Sequence, residues 1–397
     1  MKKIEVIKKW VAYGVAALVI GALVGLVDVV FAEGIKYVTS VRKAYPIITI
    51  GLPLAGVIIV HLYKKFGGDS NRGMGLVFSV GFDDENKMPK RMVPFAMVST
   101  WLTHLFGGSA GREGVAVQIG ASISQNIGKR LPYKDASRIF LITGMAAGFA
   151  GLFGTPLAAI MFAIEVLTIG RIEYKALYTC FVAAYSACYV SSIFGVSKAT
   201  FAIGYTTNID LILFFELIIL GILFGILGRV FAVMLLKGKS FFAKIIANPL
   251  IRVAVFGAIL CVLFYVLYDG RYSGLGESLV DTVFNGETVY AYDWILKMLL
   301  TITTLSVGFQ GGEVTPIFSI GATFGAVIAP IFGLPATLVA ALGYAGVFGG
   351  ATNTFFASIL IGGEIFGFEY LPHFFIVCVI SHIASGSVSI YSAQRKG

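Results

Sequence analysis

Charge is what this sequence has least of. Only 13% of its 397 residues are Asp, Glu, Lys or Arg, where a soluble domain carries roughly 25%. The deficit runs along the whole chain, with 57% hydrophobic residues and a mean hydropathy of +0.88. That excludes an ordinary soluble domain and indicates an all-α polytopic membrane protein. Histidine and cysteine are scarce too, at four each. Cys180, Cys188, Cys261 and Cys378 lie in apolar stretches and form no CxxC pair, so they read as small core residues and not as disulfides or metal ligands. HExxH and GxSxG are absent, and only His104 and His382 fall mid-span. A lone His in an apolar helix is more often structural than a proton relay. These absences argue against a membrane-embedded enzyme, and neither metal nor cofactor is expected.

The net charge of +9 is not gathered into a basic patch interleaved with aromatics, which leaves nucleic acid out as a partner. Lys2, Lys3, Lys8 and Lys9 precede the first apolar run, and Arg395 and Lys396 close the chain. This is the positive-inside pattern, with both termini in the cytoplasm. The run 11–30 has spanning length and more spans follow, so it reads as a first span and not as a cleaved signal peptide.

Glycine is plentiful, at 48 residues, and in a membrane small residues let helices approach and open breaks in them. Apolar segments run over 10–31, over 41–60 with Pro46 and Pro53 as breaks, over 94–106, then to Ile127, over 137–167 with an interruption at Gly154-Thr155-Pro156, and over 176–194. Residues 61–92 are polar and hold Arg72-Gly-Met-Gly-Leu and the acidic run Asp83-Asp84-Glu85, and 195–208 form a linker. The pattern then restarts over 211–236, 251–267, 294–307, 316–332, 335–366 and 372–390. Several of these are shorter than the ~18 residues a span needs, or contain Gly or Pro, which predicts half-helices and re-entrant segments.

The restart is a repeat. At an offset of 200, Gly21, Leu23 and Gly25 align with Gly221, Leu223 and Gly225, and Gly108, Gly111 and Glu113 align with Gly308, Gly311 and Glu313. At an offset of 199, Gly144, Gly151, Thr155, Ala158, Ile160 and Glu165 align with Gly343, Gly350, Thr354, Ala357, Ile359 and Glu364. Three matches in nearly one register divide a single membrane domain, 1–397, into related halves at 10–200 and 208–397. In transporters such halves commonly have inverted topology, with the site at their interface near the midplane; the sequence by itself does not prove the inversion.

The repeat sets two Gly-rich breaks against each other: residues 107–120, GGSAGREGVAVQIG, and residues 308–316, GFQGGEVTP. Each precedes an apolar helix, and Pro316 suits a first helical turn. Two helix N-termini meeting at membrane depth aim unpaired N–H groups and positive dipole ends at one point, an anion site without a full positive charge. Glu113 stands at such a terminus. Its carboxylate can occupy the site as an anion would, and on protonation it loses the attraction and can swing away. Desolvation favours a neutral carboxyl and N–H bonds favour the anion, so such a group can couple anion movement to protons. The plainer alternative is a glutamate paired with Arg112 for packing.

At this point the residues resemble a known family. GSAGREGVAVQIG is similar to the GREGP-type signature of the CLC chloride channels and anion/proton antiporters. Gly154-Thr155-Pro156 with eight residues between it and Glu165, Gly311-Gly-Glu-Val-Thr-Pro316 and a late Tyr391 match as well, over roughly residues 10–395. The resemblance implies an antiparallel double repeat with broken helices, a homodimer and one pathway per subunit. With the chain closing at Gly397, the cytoplasmic regulatory domains of some members are expected to be absent.

Departures from the chloride-type pattern point within the family. Met74 stands in Gly73-Met74-Gly75-Leu76-Val77 where chloride-type members place an anion-contacting serine. Val115 replaces a common proline, and Gly312-Glu313-Val314-Thr315-Pro316 lacks the usual Phe and gains a hydroxyl. Together these resemble the fluoride-specific branch, bacterial fluoride/proton antiporters of the plasma membrane. The resemblance places Met74, Gly75, Gly114, Val115, Val314, Thr315 and Tyr391 around the anion, with Phe78, Arg112 and Val166 along the pathway. Val166 occupies the position where chloride exchangers carry a second, proton-relaying glutamate, so the inner proton route must differ. Packing accounts for Met74 equally well, capping for Thr315, and an interfacial position for Tyr391. Phe78 suits the core, Arg112 suits a backbone anchor, and Glu165 and Glu364 suit helix termini. The implied cargo is fluoride and protons across a lipid bilayer; a chloride/proton antiporter or passive anion channel of the same fold is the alternative.

Overall fold

Inside a bilayer only intrahelical hydrogen bonds satisfy the backbone of a lone segment, so the apolar stretches fold as helices. The computed structural model describes residues 2–82, 87–205, 208–268 and 270–397; the acidic run Asp83-Asp84-Glu85 lies outside them. The first half contains α1 (Lys2–Ala44), α2 (Leu52–Leu62), α3 (Met74–Gly81), α4 (Met92–Leu105), α5 (Glu113–Gly128), α6 (Ala136–Phe153), α7 (Pro156–Glu165) and α8 (Leu177–Ile193). The second contains α9 (Leu211–Ile245), α10 (Pro249–Val266), α11 (Glu277–Phe284), α12 (Asp293–Val307), α13 (Val314–Ile328), α14 (Ala336–Thr352), α15 (Phe355–Phe366) and α16 (Leu371–Ser385). Eight of the described helices are long and apolar enough to cross a membrane, and the protein is a multi-pass membrane protein.

Several expected boundaries move. α1 continues to Ala44, well past residue 31, and Pro46 then opens a short 3-10 turn, Pro46–Gly51. Pro53 does not break α2 but sits in its first turn, where a missing N–H costs nothing. The expected segment 335–366 is two helices, because Asn353 takes a left-handed conformation (φ 57°) and ends α14. The segment 372–390 stops being helical at Gly386, φ 68°. α3 and α11, eight residues each, sit in stretches read as polar or left unassigned.

The repeated glycines mark close helix crossings. Gly21 and Gly25 of α1 lie against Ala183 and Ala187 of α8, and Gly221 and Gly225 of α9 lie against Val377, Ile380 and Ser381 of α16. Gly120 of α5 faces Gly144 of α6 as Gly321 of α13 faces Gly343 of α14, each crossing so tight that a Cβ would strike the partner's carbonyl. α6 and α14 are buried on nearly all sides and form the centre of the molecule.

α7 and α15 show the inverted relation most directly. Glu165 at the end of α7 accepts from the N–H groups of Phe356 (3.3 Å) and Ala357 (3.2 Å) at the start of α15. Glu364 near the end of α15 accepts from Leu157 (3.1 Å) and Ala158 (2.9 Å) at the start of α7. The two helices run antiparallel, and each supplies the other's N-terminal cap. The linker and the C-terminal segment add further ties: Phe201 N donates to Ile365 O at 3.2 Å, and Gln394 Nε2 donates to Val166 O at 2.7 Å. Strand β1 (Thr168–Ile169) pairs in parallel with β2 (Arg395–Lys396).

Replacing either Glu165 or Glu364 by Ala strips one buried and one partly buried N–H group of their acceptor. Each single variant is expected to lose about 1–2 kcal/mol of stability, and the pair to lose approximately the sum. Thermal unfolding midpoints in detergent check this; midpoints at the wild-type value in both single variants would contradict the capping role.

Candidate functional site

The two Gly-rich breaks meet. Gly111 N donates to Gly312 O at 2.5 Å and Gly312 N donates to Gly111 O at 2.8 Å, an antiparallel bridge between the residues that precede α5 and α13. Only glycine permits it. A Cβ on Gly111 would stand 2.9 Å from Pro316 Cδ and 3.0 Å from both Gly312 O and Thr315 Oγ1. A second pairing braces the loop from behind, as Ala110 N donates to Gly274 O (3.2 Å) and Gly274 N donates to Gly108 O (3.1 Å).

Glu113 is the first residue of α5 and is 1% exposed. Its carboxylate does not serve its own helix. It reaches across the bridge to the start of α13, where Oε2 accepts from Thr315 N at 3.1 Å and from the Thr315 hydroxyl. Arg112 N also donates to Oε2, at 3.3 Å. Oε1 has no hydrogen-bond partner among the described residues. Thr315 lies in the first turn of α13, where helix N–H groups have no intrahelical acceptor and the dipole favours an anion. Glu313 answers from the other half, with Oε2 3.4 Å from where a Cβ on Gly114 would lie, over the start of α5. Its match to Glu113 in the repeat was the signal for it.

Met74 opens α3 directly after Gly73, φ 53°, and is buried. A Cβ added at Gly75 would meet no neighbouring element within 4 Å, so there is room for a methyl group beside Met74. Phe78, one turn on, stands 5.4 Å ring to ring from Tyr391, which is 6.3 Å from Phe162. Met74, Phe78, Val166, Val314 and Tyr391 all belong to one buried apolar cluster. Val166 ends α7 fully buried, its carbonyl held by Gln394. Gly114 lies against Gly312, whose Cβ would be 3.0 Å from Gly114 N. The side chain of Val115 points elsewhere, into a separate cluster with Phe31, Ala116, Ile119 and Leu152, and its N–H donates to Arg112 O at 3.1 Å.

Arg112 does not make its short ion pair with Glu113. Its Nη2 donates to Glu277 Oε1 at 2.8 Å, while Nε is 3.7 Å from Glu113 Oε1. A cavity of about 250 Å³ adjoins the pair and is lined by Arg112, Thr315, Tyr344, Glu277, Asp281 and Lys36, among others. It lies along the later turns of α1, away from the end where Lys9 pairs with Asp135.

Sequence reasoning passed over Lys297, Glu277 and Tyr344. Lys297 is fully buried on α12 and donates to Ser109 Oγ (2.9 Å), Tyr272 O (3.1 Å) and Gly274 O (2.8 Å), tying the loop before α5 to the loop before α11. A lysine inside the apolar run 294–307 was itself a readable signal. Glu277 had none, since its partner lies 165 residues away. Tyr344 stacks on Phe318 at 4.0 Å and occupies the position that the repeat gives to Met145. No group of three or more His, Cys, Asp or Glu side chains converges as a metal site among the described residues. The arrangement can hold an anion at two helix termini, with a carboxylate able to take its place.

Comparison with known proteins identifies the family and the fold. Residues 55–386 match the voltage gated chloride channel family. A chloride/fluoride channel protein of Pseudomonas syringae pv. tomato is 37% identical over 400 residues, covering 98% of this chain and 87% of that one. Among solved structures, a CLC-type fluoride/proton antiporter superposes with a TM-score of 0.95 at 46% identity over 98% of both chains. A slow cyanobacterial Cl-/H+ antiporter shares the fold, with a TM-score of 0.83 at 21% identity over 96% of both chains.

The two glycines of the site differ in what surrounds them. Gly111→Ala forces apart the bridge between the helix starts and is expected to cost about 1–3 kcal/mol. Gly75→Ala enters open space and should shift the unfolding midpoint little. Equal thermal stability of the two variants would overturn the close approach at Gly111.

Proposed function

Because the chain belongs to the voltage gated chloride channel (CLC) family, we propose that it is a fluoride/proton antiporter that exports fluoride from a bacterial cytoplasm at the expense of the proton gradient. The observation that carries this reading is the carboxylate of Glu113 seated on Thr315 N and the Thr315 hydroxyl, at the start of the opposite half's helix. A carboxylate bound by such donors stands where a transported anion would be bound. Protonation removes the charge those donors hold, the neutral side chain leaves, and an anion enters. Loss of the proton returns the carboxylate and expels the ion. One group thus carries both the gate and the proton.

The surrounding residues support the finer assignment. Met74, Gly75, Gly114, Val314, Thr315 and Tyr391 form the anion's surroundings in this reading, and Val115 stays outside them, its side chain packed beside Phe31 and its N–H donated to Arg112 O. Arg112, Phe78 and Val166 line the way to it. No serine hydroxyl stands at position 74, so the ion is held by Thr315, backbone N–H groups and the Tyr391 hydroxyl. Val166 offers no carboxyl for an inner relay. In the same reading the halves are 10–200 and 208–397, both termini are cytoplasmic in the plasma membrane, and the protein works as a homodimer whose other partners are fluoride, protons and the bilayer.

Proteoliposomes loaded with fluoride or chloride, read with ion-selective and pH electrodes, test the proposal. Fluoride flux is expected to exceed chloride flux about tenfold or more, a discrimination of ~1.4 kcal/mol, and to carry protons in the opposite direction. Glu113→Gln should abolish the proton movement. Equal chloride and fluoride rates would make the chain a chloride/proton antiporter of the same fold, and fluoride flux without protons would make it a passive channel.

A further inference from the structure

The cavity beside the gate contains a charged pair that anion binding at Thr315 does not use. The Arg112 side chain is 15% exposed and stands between two carboxylates, Glu277 at 2.8 Å and Glu113 at 3.7 Å. Glu277 belongs to the cavity wall, as the first residue of α11, and its side chain is 50% exposed. Arg112 Nε makes no hydrogen bond among the described residues. An ion that leaves Thr315 by this cavity therefore passes directly beside a guanidinium. Five donors in a fixed fork suit an anion well. Left without a counter-charge, that group would hold the ion where it has to be released, and transport requires binding weak enough to leave.

The pair is not a chance meeting of two long side chains. Glu277 follows Gly276, φ 90°, in a loop whose Tyr272 and Gly274 carbonyls accept from buried Lys297. The same ammonium donates to Ser109 Oγ, in the loop that carries Arg112, and Gly274 pairs with Gly108 and Ala110. One frame thus fixes both backbones. Exposed ion pairs on flexible side chains contribute little, whereas one whose two backbones are fastened together keeps its geometry. Asp281, one turn beyond Glu277, adds negative charge to the same wall, with Lys36 as the other cation of the cavity.

We propose that Glu277 is a positioning residue for release. It holds the Arg112 fork and cancels its charge, so that an anion expelled from Thr315 is not recaptured at the mouth. It acts through Arg112 and does not touch the ion. When Glu113 leaves Thr315, Glu277 remains as the counter-charge of Arg112. The inference rests on the transport reading only in taking an anion through this cavity.

The test uses the full chain in proteoliposomes, with fluoride efflux measured at rising fluoride concentrations in the receiving compartment. In Glu277→Gln the concentration that halves efflux is expected to fall about threefold or more, since a partly exposed charge interaction of this order is lost. Glu277→Asp should keep the wild-type value, and Arg112→Gln combined with Glu277→Gln should lose the added sensitivity. A purely structural role would lower efflux by the same factor at every receiving concentration. That result, or an unchanged half-inhibiting concentration in Glu277→Gln, overturns the proposal, and the comparison of Gln with Asp decides it even if the double variant does not fold. If the wild-type protein carries chloride and not fluoride, the fluoride reading fails by itself, and the same measurement with chloride still decides the role of Glu277.

Discussion

A helix that begins inside a bilayer leaves its first N–H groups without acceptors, at a depth where no water is available to take them. The centre of this protein answers that constraint. Among the described helices, α5, α7, α13 and α15 start beside buried residues, Glu113, Thr155, Val314 and Thr354. Three of these starts receive carboxylate hydrogen bonds, and each carboxylate comes from the other half of the chain. Glu165 serves α15, Glu364 serves α7, and Glu113 serves α13. Glu313 leans over the fourth, α5. The inverted repeat is what makes this possible, because it turns the end of one broken helix, or the loop before it, toward the start of its counterpart.

The bonding of each carboxylate separates a cap from the proposed gate. Glu165 and Glu364 each engage both oxygens, one N–H to each, from positions in the last turn of a helix. Moving either would leave two donors unpaired and disturb a packed helix. Glu113 engages one oxygen only and leaves Oε1 unbonded. It sits at the first residue of its helix, next to a cavity. The same chemistry is therefore permanent in one place and exchangeable in the other. The difference lies in whether one oxygen or both are engaged and whether there is room to move.

Much of this was legible in the sequence, because glycine and proline record where backbones touch and where helices break. Gly120 and Gly144 meet, the break at Gly154-Thr155-Pro156 is real, and the repeat register predicts which crossings are equivalent. The break at Asn353 was hidden because Asn adopts the left-handed conformation that glycine usually signals. α3 and α11 were obscured by length, since eight residues give too short a window for periodicity. The meeting of the two Gly-rich breaks was legible because the repeat set Glu113 against Glu313, while Thr315 came from the family resemblance. The site was not legible at Glu277, whose tie to Arg112 exists only once loops far apart in the chain are paired. Nor could a sequence say that Val115 points its side chain away from the bridge while its neighbour Glu113 points toward it.

The distribution of positive charge explains why such a site can exchange its ligand. The nearby cations are committed elsewhere: Arg112 to Glu277, Lys36 to Glu33, and Lys297 to a hydroxyl and two carbonyls. What the carboxylate of Glu113 meets is a backbone N–H and a hydroxyl from the first turn of α13, and a second N–H from Arg112. Helix termini supply only about half an elementary charge each, enough to draw an anion out of water when two converge, and far less than a bare ammonium or guanidinium would impose. Lys297 contributes through position, holding together the loops from which both α5 and α11 start. Full charges thus fix the frame, and partial charges are left to hold the ion in the proposed exchange. An anion held that way can be displaced by a carboxylate of the protein's own, and the carboxylate by an anion, with a proton deciding between them.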